Sequence, residues 1–445
     1  MSYILLQAVA EGNVKVVLFL LDSSIFGGEI ANVNCKDVLD KTPLMHAAEN
    51  GHVELVEIFL KNGALIDVKD NTGKTALMYA AENGHVKIVE MLTENDAYID
   101  DEDNTGKTAS MYAINNGHVE IVEMLLENDV IDDEDNTGKT ALMYAAENGR
   151  VEIVEMLISK ADLSNTLLQK LVRCSLEYNK PKIFKILLKN GAGNLEELSL
   201  SWTKVSDISP LSNLVNLEVL NLAQTKVTDI SPLKDLVNLE KLDLWGCQVS
   251  DISPLSKLVS LKELDLQSTK VSDISPLKKL VKLEYLYLSN TQVSDVSPLK
   301  DLVNLEYLKL LRIQVSDISP LSNLENLEKL NLFDCQGLSD VSPLSKLVSL
   351  KVLDLRRIPV SDISPLSNLE NLEELSLGIT QVSDISPLRN LFSLKQLELW
   401  DTQDSDLSPL EELVNLKELR LGGYTKVSDI SPLEELEESG LIFTR

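Results

Sequence analysis

The apolar residues of this chain fall into two periodicities that meet near residue 194. In the first part they recur at helical spacing in pairs of short segments, such as Ala76-Leu-Met-Tyr-Ala-Ala81 and Val119-Glu-Ile-Val-Glu-Met-Leu125, the members of a pair being joined by Asn-Gly. An Asp-rich stretch that reads as a hairpin follows each pair. Thr42, Thr75, Thr108 and Thr140 open equivalent segments at steps of 33, 33 and 32 residues, so the pair is a repeated unit. Neither helix of a pair can bury its apolar face alone, and neighbouring units must stack to do so. Less regular segments at Leu5 to Leu21 and Leu167 to Leu188 bracket the four clear units, as caps would.

From Leu195 the period becomes 22. Leu195, Leu217, Leu239, Leu261, Leu283, Leu305 and Leu327 are equally spaced, and after one inserted residue near Gly337 the register resumes at Leu350, Leu372, Leu394 and Leu416, giving eleven units. In the unit Leu195-Glu-Glu-Leu-Ser-Leu-Ser-Trp-Thr-Lys-Val-Ser-Asp-Ile-Ser-Pro-Leu211, Leu198 and Leu200 point inward as a short strand. Ser209-Pro210 is expected to supply an N-cap followed by proline at the first helical position, and the helix then crosses the convex back. Thr203, Thr225, Thr269 and Thr291 stack at the strand-to-loop corner, where a short hydroxyl can satisfy buried backbone groups. Cys247 and Cys335 take the same place and read as structural thiols. Ile313 and Ile358 depart from this ladder and Asp404 replaces an inward Val, so the sheet is expected to be looser at those turns.

The first array resembles the ankyrin repeat. Thr42-Pro43-Leu44-Met45-His46 follows that family's Thr-Pro-Leu-His signature with one Met inserted, and later units carry Tyr79, Tyr112 and Tyr144 at the ring position. Asp96 and Asp129 stand where Gly63 ends its helix, and Asp tolerates the left-handed turn required there. The second array is similar to the leucine-rich repeats of internalins and of regulatory subunits of type 1 protein phosphatase, through its recurring Asp-Ile-Ser-Pro-Leu. The resemblance implies a repeat solenoid: an all-α ankyrin array with β-hairpins over 1–193, then an α/β leucine-rich horseshoe with a parallel concave sheet over 194–445. It also implies that protein partners are held on the concave sheet. Only Gly191-Ala-Gly-Asn194 separates Leu188 from Leu195, too short for a flexible linker. Glu434, Glu435, Glu437 and Glu438 precede Leu441-Ile-Phe443, a final strand edge guarded by charge.

Charge narrows the partners. With 70 acidic and 41 basic residues the net charge is -29, which repels phosphate backbones and anionic lipid heads, so nucleic-acid and membrane partners are not expected. The first residues lack a basic region ahead of Glu11, and no run of about 18 apolar residues occurs, so neither a secretory signal nor a membrane span is expected. Cys35, Cys174, Cys247 and Cys335 are scattered, which suits a reducing, cytoplasmic setting and a monomer.

No catalytic, cofactor or metal constellation can be assembled, so an enzyme is not expected. Gly-Lys-Thr recurs at Gly73, Gly106 and Gly138, but Val68, Asp101 and Asp133 stand where a phosphate loop needs its earlier glycine, and these segments read as hairpin turns. His52, His85 and His118 share one repeat position. Asp100-Asp-Glu-Asp103 and Asp132-Asp-Glu-Asp135 lack calcium-loop spacing and read as solvated hairpin tips.

The informative positions are those the repeat leaves free. Residues flanking the strand leucines point out of the concave sheet, and those one repeat apart lie on strands about 4.8 Å apart. Tyr285 then stands beside Tyr307 and Lys329, Tyr287 beside Lys309, and Leu311 beside Phe333 and Arg356, with Arg312 and Arg357 at the rim. Trp245 and Trp400 extend this footprint, whereas earlier turns show Ser199, Asn221, Asp243 and Asp265. Aromatic and basic residues are enriched in binding hot spots, and this patch suits a partner segment bearing carboxylates or phosphates. The expected function is a protein-interaction scaffold or adaptor holding one partner on the concave sheet, over an interface of about 1,600 Å², with the ankyrin hairpins as a second surface. The alternatives are a regulatory or targeting subunit of an enzyme such as a phosphatase, and an effector or surface protein that binds host proteins.

Overall fold

The computed structural model describes residues 1–445 apart from 23–29, 127–133, 162, 404–405, 423–428, 445 and the side chain of Phe443. Asp129, Asp132, Asp133 and Asp404 therefore lie outside the described residues. The chain forms two compact units, Met1–Gly191 and Ala192–Arg445.

Four helix pairs make up the first unit: Pro43–Asn50 with Val53–Lys61, Ala76–Asn83 with Val86–Glu94, Ala109–Asn116 with Val119–Leu125, and Ala141–Asn148 with Val151–Lys160. Further pairs, Ser2–Ala10 with Val14–Leu21 and Asn165–Glu177 with Pro181–Lys189, close its ends. The repeated threonines are N-caps: Thr42 Oγ1 accepts from Met45 N at 3.3 Å, and Thr75 Oγ1 from Met78 N at 3.3 Å. The first helix of each of the four inner pairs stops at a left-handed glycine, such as Gly51 with φ 74°. A Cβ on Gly51 would also sit 2.6 Å from the His85 ring of the next unit, whose Nε2 lies 3.1 Å from the Glu49 carbonyl. His118 repeats the bond to Glu82 O at 3.1 Å, so these two histidines stitch their units to the preceding ones, whereas His52 Nε2 is buried without such a bond. Asp96 does hold the left-handed turn, with φ 63°.

The ring that follows each cap binds the hairpin aspartate nine residues before it, leaving the threonine hydroxyl to cap the helix. Tyr79, Tyr112 and Tyr144 donate to Asp70, Asp103 and Asp135 at 2.7, 2.5 and 2.6 Å, and His46 Nε2 lies 3.0 Å from Asp37. The same carboxylates accept the hairpin N–H groups, as Asp103 does from Thr105 and Lys107. With Asp103 only 8% and Asp135 only 5% exposed, the expectation of solvated tips is wrong for both: they are the buried anchors of the hairpins. Burial pushes the Asp135 carboxyl up, but the Thr137 and Tyr144 hydroxyls and backbone N–H groups outweigh it and hold the group at about 2. Lysines slot between the rings: Lys41 Nζ lies 4.1 Å from the Tyr79 ring centre and Lys74 Nζ 4.1 Å from that of Tyr112. Lys41, Lys74 and Lys139 each also pair with a glutamate eight residues on, Glu49, Glu82 and Glu147, at 2.7 to 2.9 Å. Lys107 has no carboxylate partner among the described residues, because Asn115 stands at that place.

In the second unit, twelve three-residue strands pair in parallel and in chain order, from Glu197–Ser199 to Ile442–Thr444, as an open sheet. The central leucines, Leu198 through Leu419, register on one another and are buried, while their neighbours alternate outward. The twelfth strand is the segment that follows the glutamate run. Two expectations need correction. Ser209 does not cap: Asp207 Oδ1 accepts from Ser209 N at 2.9 Å, and serine and proline are the first two residues of a 3-10 turn, Ser209–Asn213. Equivalent aspartates repeat the bond at 2.8 Å, as Asp229 does with Ser231 and Asp251 with Ser253. Turns of three to five residues are too short for an α-helical ladder, and i to i+3 bonds such as Leu211 N to Ile208 O at 3.0 Å close them.

The sheet is also not looser at Ile313 and Ile358. Both are buried, and the pairings Tyr307↔Lys329, Lys329↔Val352 and Val352↔Glu374 run on without a break. Elsewhere in the ladder Thr203 and Thr225 donate to Leu200 O and Leu222 O at 2.7 Å, and Cys247 and Cys335 reach the preceding coil's Leu222 O and Leu310 O at 3.0 and 3.1 Å. Isoleucine loses one such bond, but it fills the space and leaves the backbone pairing intact.

Candidate functional site

The outward side chains of the leucine-rich sheet flank the buried central leucine of each strand, and a corner residue follows three places past the strand's end. That corner has positive φ in nearly every coil, including Trp202 at 61°, Arg312 at 59° and Arg357 at 57°. A left-handed residue turns the chain sharply out of the sheet and leaves its side chain at the rim.

Among the residues expected to form a central patch, two groups are in contact. Tyr287 and Tyr307 meet edge to face with ring centres 5.3 Å apart, and Tyr285 Oη donates to Glu306 at 3.0 Å. Burial pushes the Tyr287 hydroxyl up to about 12, so it stays a neutral donor. Phe333 is ringed by Arg356, Arg312 and Arg357, whose guanidinium carbons lie 5.4, 5.7 and 5.8 Å from its centre. Leu311 is half-buried between strands, and Arg312, Lys329 and Arg357 are exposed.

The charges of the patch are not equally available. Arg356 is spanned by Asp354, at 2.7 Å, and Glu398, at 3.2 Å, so it braces the sheet instead of waiting for a ligand. Arg312 lies 3.5 Å from Asp334. Lys309, Lys329 and Arg357 have no ion pair among the described residues and are the cations a partner can reach. Trp400 is half-buried against Gly378, where a Cβ would meet its ring at 2.5 Å, while Trp245 is 37% exposed.

Trp202 lies outside the footprint expected from the sequence, is 70% exposed and meets Trp245 edge to face at 6.0 Å. Its place at the corner, one residue beyond the alternating positions, hid it. Asp243 and Asp265 look like ordinary polar positions in the sequence. Burial raises both carboxyls, against bonds from Trp245 N and Gln267 N, and Asp265 reaches about 6 with Asp243 adding to the rise. Among the described residues no group of metal-ligating side chains gathers at any point, and no helix is long and apolar enough to cross a membrane.

Two stacked arrays that present side chains on open faces define a class, that of tandem-repeat interaction proteins. Models of ankyrin repeats match residues 5–103 and 97–167, and models of leucine-rich repeats match 193–235, 237–279, 281–323, 325–368 and 348–390. The structure is similar to that of an internalin (inlF) from Listeria monocytogenes, at 30% identity and a TM-score of 0.54, over 66% of this chain and 94% of that one. It also shares its fold with a leucine-rich-repeat protein of Leptospira interrogans, at 22% identity and a TM-score of 0.51, over 57% of this chain and 73% of that one. No curated protein sequence matches the chain. The chain belongs to the ankyrin-repeat and internalin-like leucine-rich-repeat families. Repeats of both kinds are in general protein-interaction modules and are typically non-catalytic.

Proposed function

We propose that this chain is a scaffold that holds a partner protein on the concave leucine-rich sheet, centred on Tyr285, Tyr287, Tyr307 and Phe333 and their exposed cations. The observation that carries the proposal is the aromatic and basic cluster itself: rings in contact on a rigid sheet, with Lys309, Lys329 and Arg357 beside them and unpaired among the described residues. Aromatic rings supply desolvated area at low entropic cost, and free cations supply charge-assisted bonds to carboxylates or phosphates. The ankyrin hairpins provide a second surface for an adaptor role. Affinity capture with the full chain and with its Tyr287→Ala, Tyr307→Ala variant, followed by mass spectrometry, tests this. Partners of the concave face disappear from the variant's capture, and an identical set of captured proteins contradicts the proposal.

A further inference from the structure

The first coils of the concave face carry a feature the central patch does not explain. Trp202 is 70% exposed and holds φ 61° at a corner that Gly246 occupies two coils on, a conformation that bulky side chains avoid. Nearly every coil shares that left-handed corner, so the repeat sets the backbone there but not the side chain, and a tryptophan left in water adds nothing to the core; its use is sought in binding. Its ring meets that of Trp245 edge to face at 6.0 Å. Beside this pair, in register on adjacent strands, stand Asp243, Asp265 and Tyr287.

Both carboxylates are held but not neutralised. Asp243 Oδ1 accepts from Trp245 N at 2.9 Å, and Asp265 accepts from Gln267 N and Gln267 Nε2 at 2.8 Å each. Among the described residues neither takes part in an ion pair; Lys241, on the strand of Asp243, turns to Glu263 at 3.3 Å. No cation touches either carboxylate, Lys309 acting on Asp265 only from two strands away, so two half-buried carboxylates next to exposed indole rings form an environment that favours a cation in contact.

We propose that Trp202, Trp245, Asp243 and Asp265 form a docking subsite for a lysine- or arginine-bearing segment of the partner protein. Charge complementarity selects this occupant. A cation gains from the carboxylates and from the ring faces together, whereas an acidic or purely apolar segment would cover the carboxylates without offsetting their lost hydration. The proposal rests on the concave face being the binding surface and gives that surface a direction. The basic part of a bound segment lies over Asp243 and Asp265, and its acidic part over Lys309, Lys329 and Arg357.

The test uses the full chain and a short, tryptophan-free oligolysine peptide, followed by tryptophan emission and titration calorimetry. Binding shifts the emission of the wild-type chain. Asp243→Asn with Asp265→Asn weakens binding about tenfold or more, while Glu434→Gln with Glu435→Gln, the same charge change on the terminal helix, weakens it less than about twofold. The asparagines keep the size of the aspartates and one acceptor oxygen for the Trp245 and Gln267 backbone N–H groups, so a melting temperature at or above that of the wild type certifies the fold. Equal weakening by the two variant pairs, or binding with no change in emission, overturns the subsite. Capture of the natural partner separates this failure from a wider one. Loss of capture in both the aspartate pair and the Tyr287→Ala, Tyr307→Ala variant supports the subsite. Loss in the tyrosine variant alone removes the subsite and leaves the concave face standing, and loss in neither removes both.

Discussion

Aspartate does opposite work in the two arrays. In the ankyrin unit Asp70, Asp103 and Asp135 are buried under their own hairpins, bound by tyrosine, threonine and backbone donors, and held below the usual carboxylate range. On the leucine-rich sheet Asp243 and Asp265 face outward with fewer donors and lie above that range. The same residue type is structural where donors converge on it and available where they do not. The difference teaches where to look for function in a repeat protein: at polar side chains that the repeat places but does not satisfy.

The largest expected effect is on the ankyrin side. Asp103→Leu strands the Tyr112 hydroxyl and two backbone N–H groups, and should cost the first unit about 2 to 4 kcal/mol in denaturant unfolding followed by circular dichroism. Asp265→Asn should shift the second unit by less than about 1 kcal/mol, towards higher stability at neutral pH. Equal losses would erase the contrast. Next in size, Tyr287→Ala should weaken partner binding by about 2 kcal/mol, and Arg357→Ala by about 1 kcal/mol, in calorimetry with a captured partner. A larger effect for Arg356→Ala should be accompanied by a fall in stability, because that guanidinium braces Asp354 and Glu398.

These assignments also show how far the residues alone reach. Periods of 33 and 22 define both arrays, because a solenoid's core positions must repeat for neighbouring coils to stack. The columns of the concave sheet follow from the strict register, which is why Tyr285 could be placed beside Tyr307 and Tyr287 beside Lys309 from spacing, whereas the diagonal contact of the Tyr287 and Tyr307 rings could not. What spacing does not reveal is how a polar side chain is spent. The Asp103 and Asp135 tips look solvated until the tyrosine nine residues on is seen to bond them, although the recurrence of that interval was present in the sequence. The role of Asp207 was likewise hidden behind Ser209, since both are good helix-start residues and only geometry decides between them. Arg356 looked like a free hot spot because its clamp, Glu398, comes from a strand two coils away.

The pH dependences of the two units should diverge. For Asp135, whose folded carboxyl sits at about 2 against an ordinary 3.8, stability is fully present above about pH 4 and lost as pH falls through about 2. For Asp265 the folded carboxyl at about 6 binds its proton before the unfolded one does, so stability rises as pH falls from above 6 towards 4. All three tryptophans, Trp202, Trp245 and Trp400, are in the second unit, so melting followed by their emission reads that unit alone. The rise between pH 7 and pH 5 should vanish in Asp265→Asn, and a rise retained in the variant would place its origin elsewhere. The smallest effect belongs to Asn115→Glu, which gives Lys107 the partner its three equivalents have and should raise first-unit stability by about 0.5 kcal/mol.

Hydrogen exchange of the full chain, with and without a bound partner protein, tests the central claim most directly. Partner-dependent protection should concentrate in the coils from Trp202 to Arg357 and peak between Tyr285 and Arg357. Protection centred on the ankyrin hairpins, with those coils unchanged, would contradict the assignment of recognition to the concave sheet.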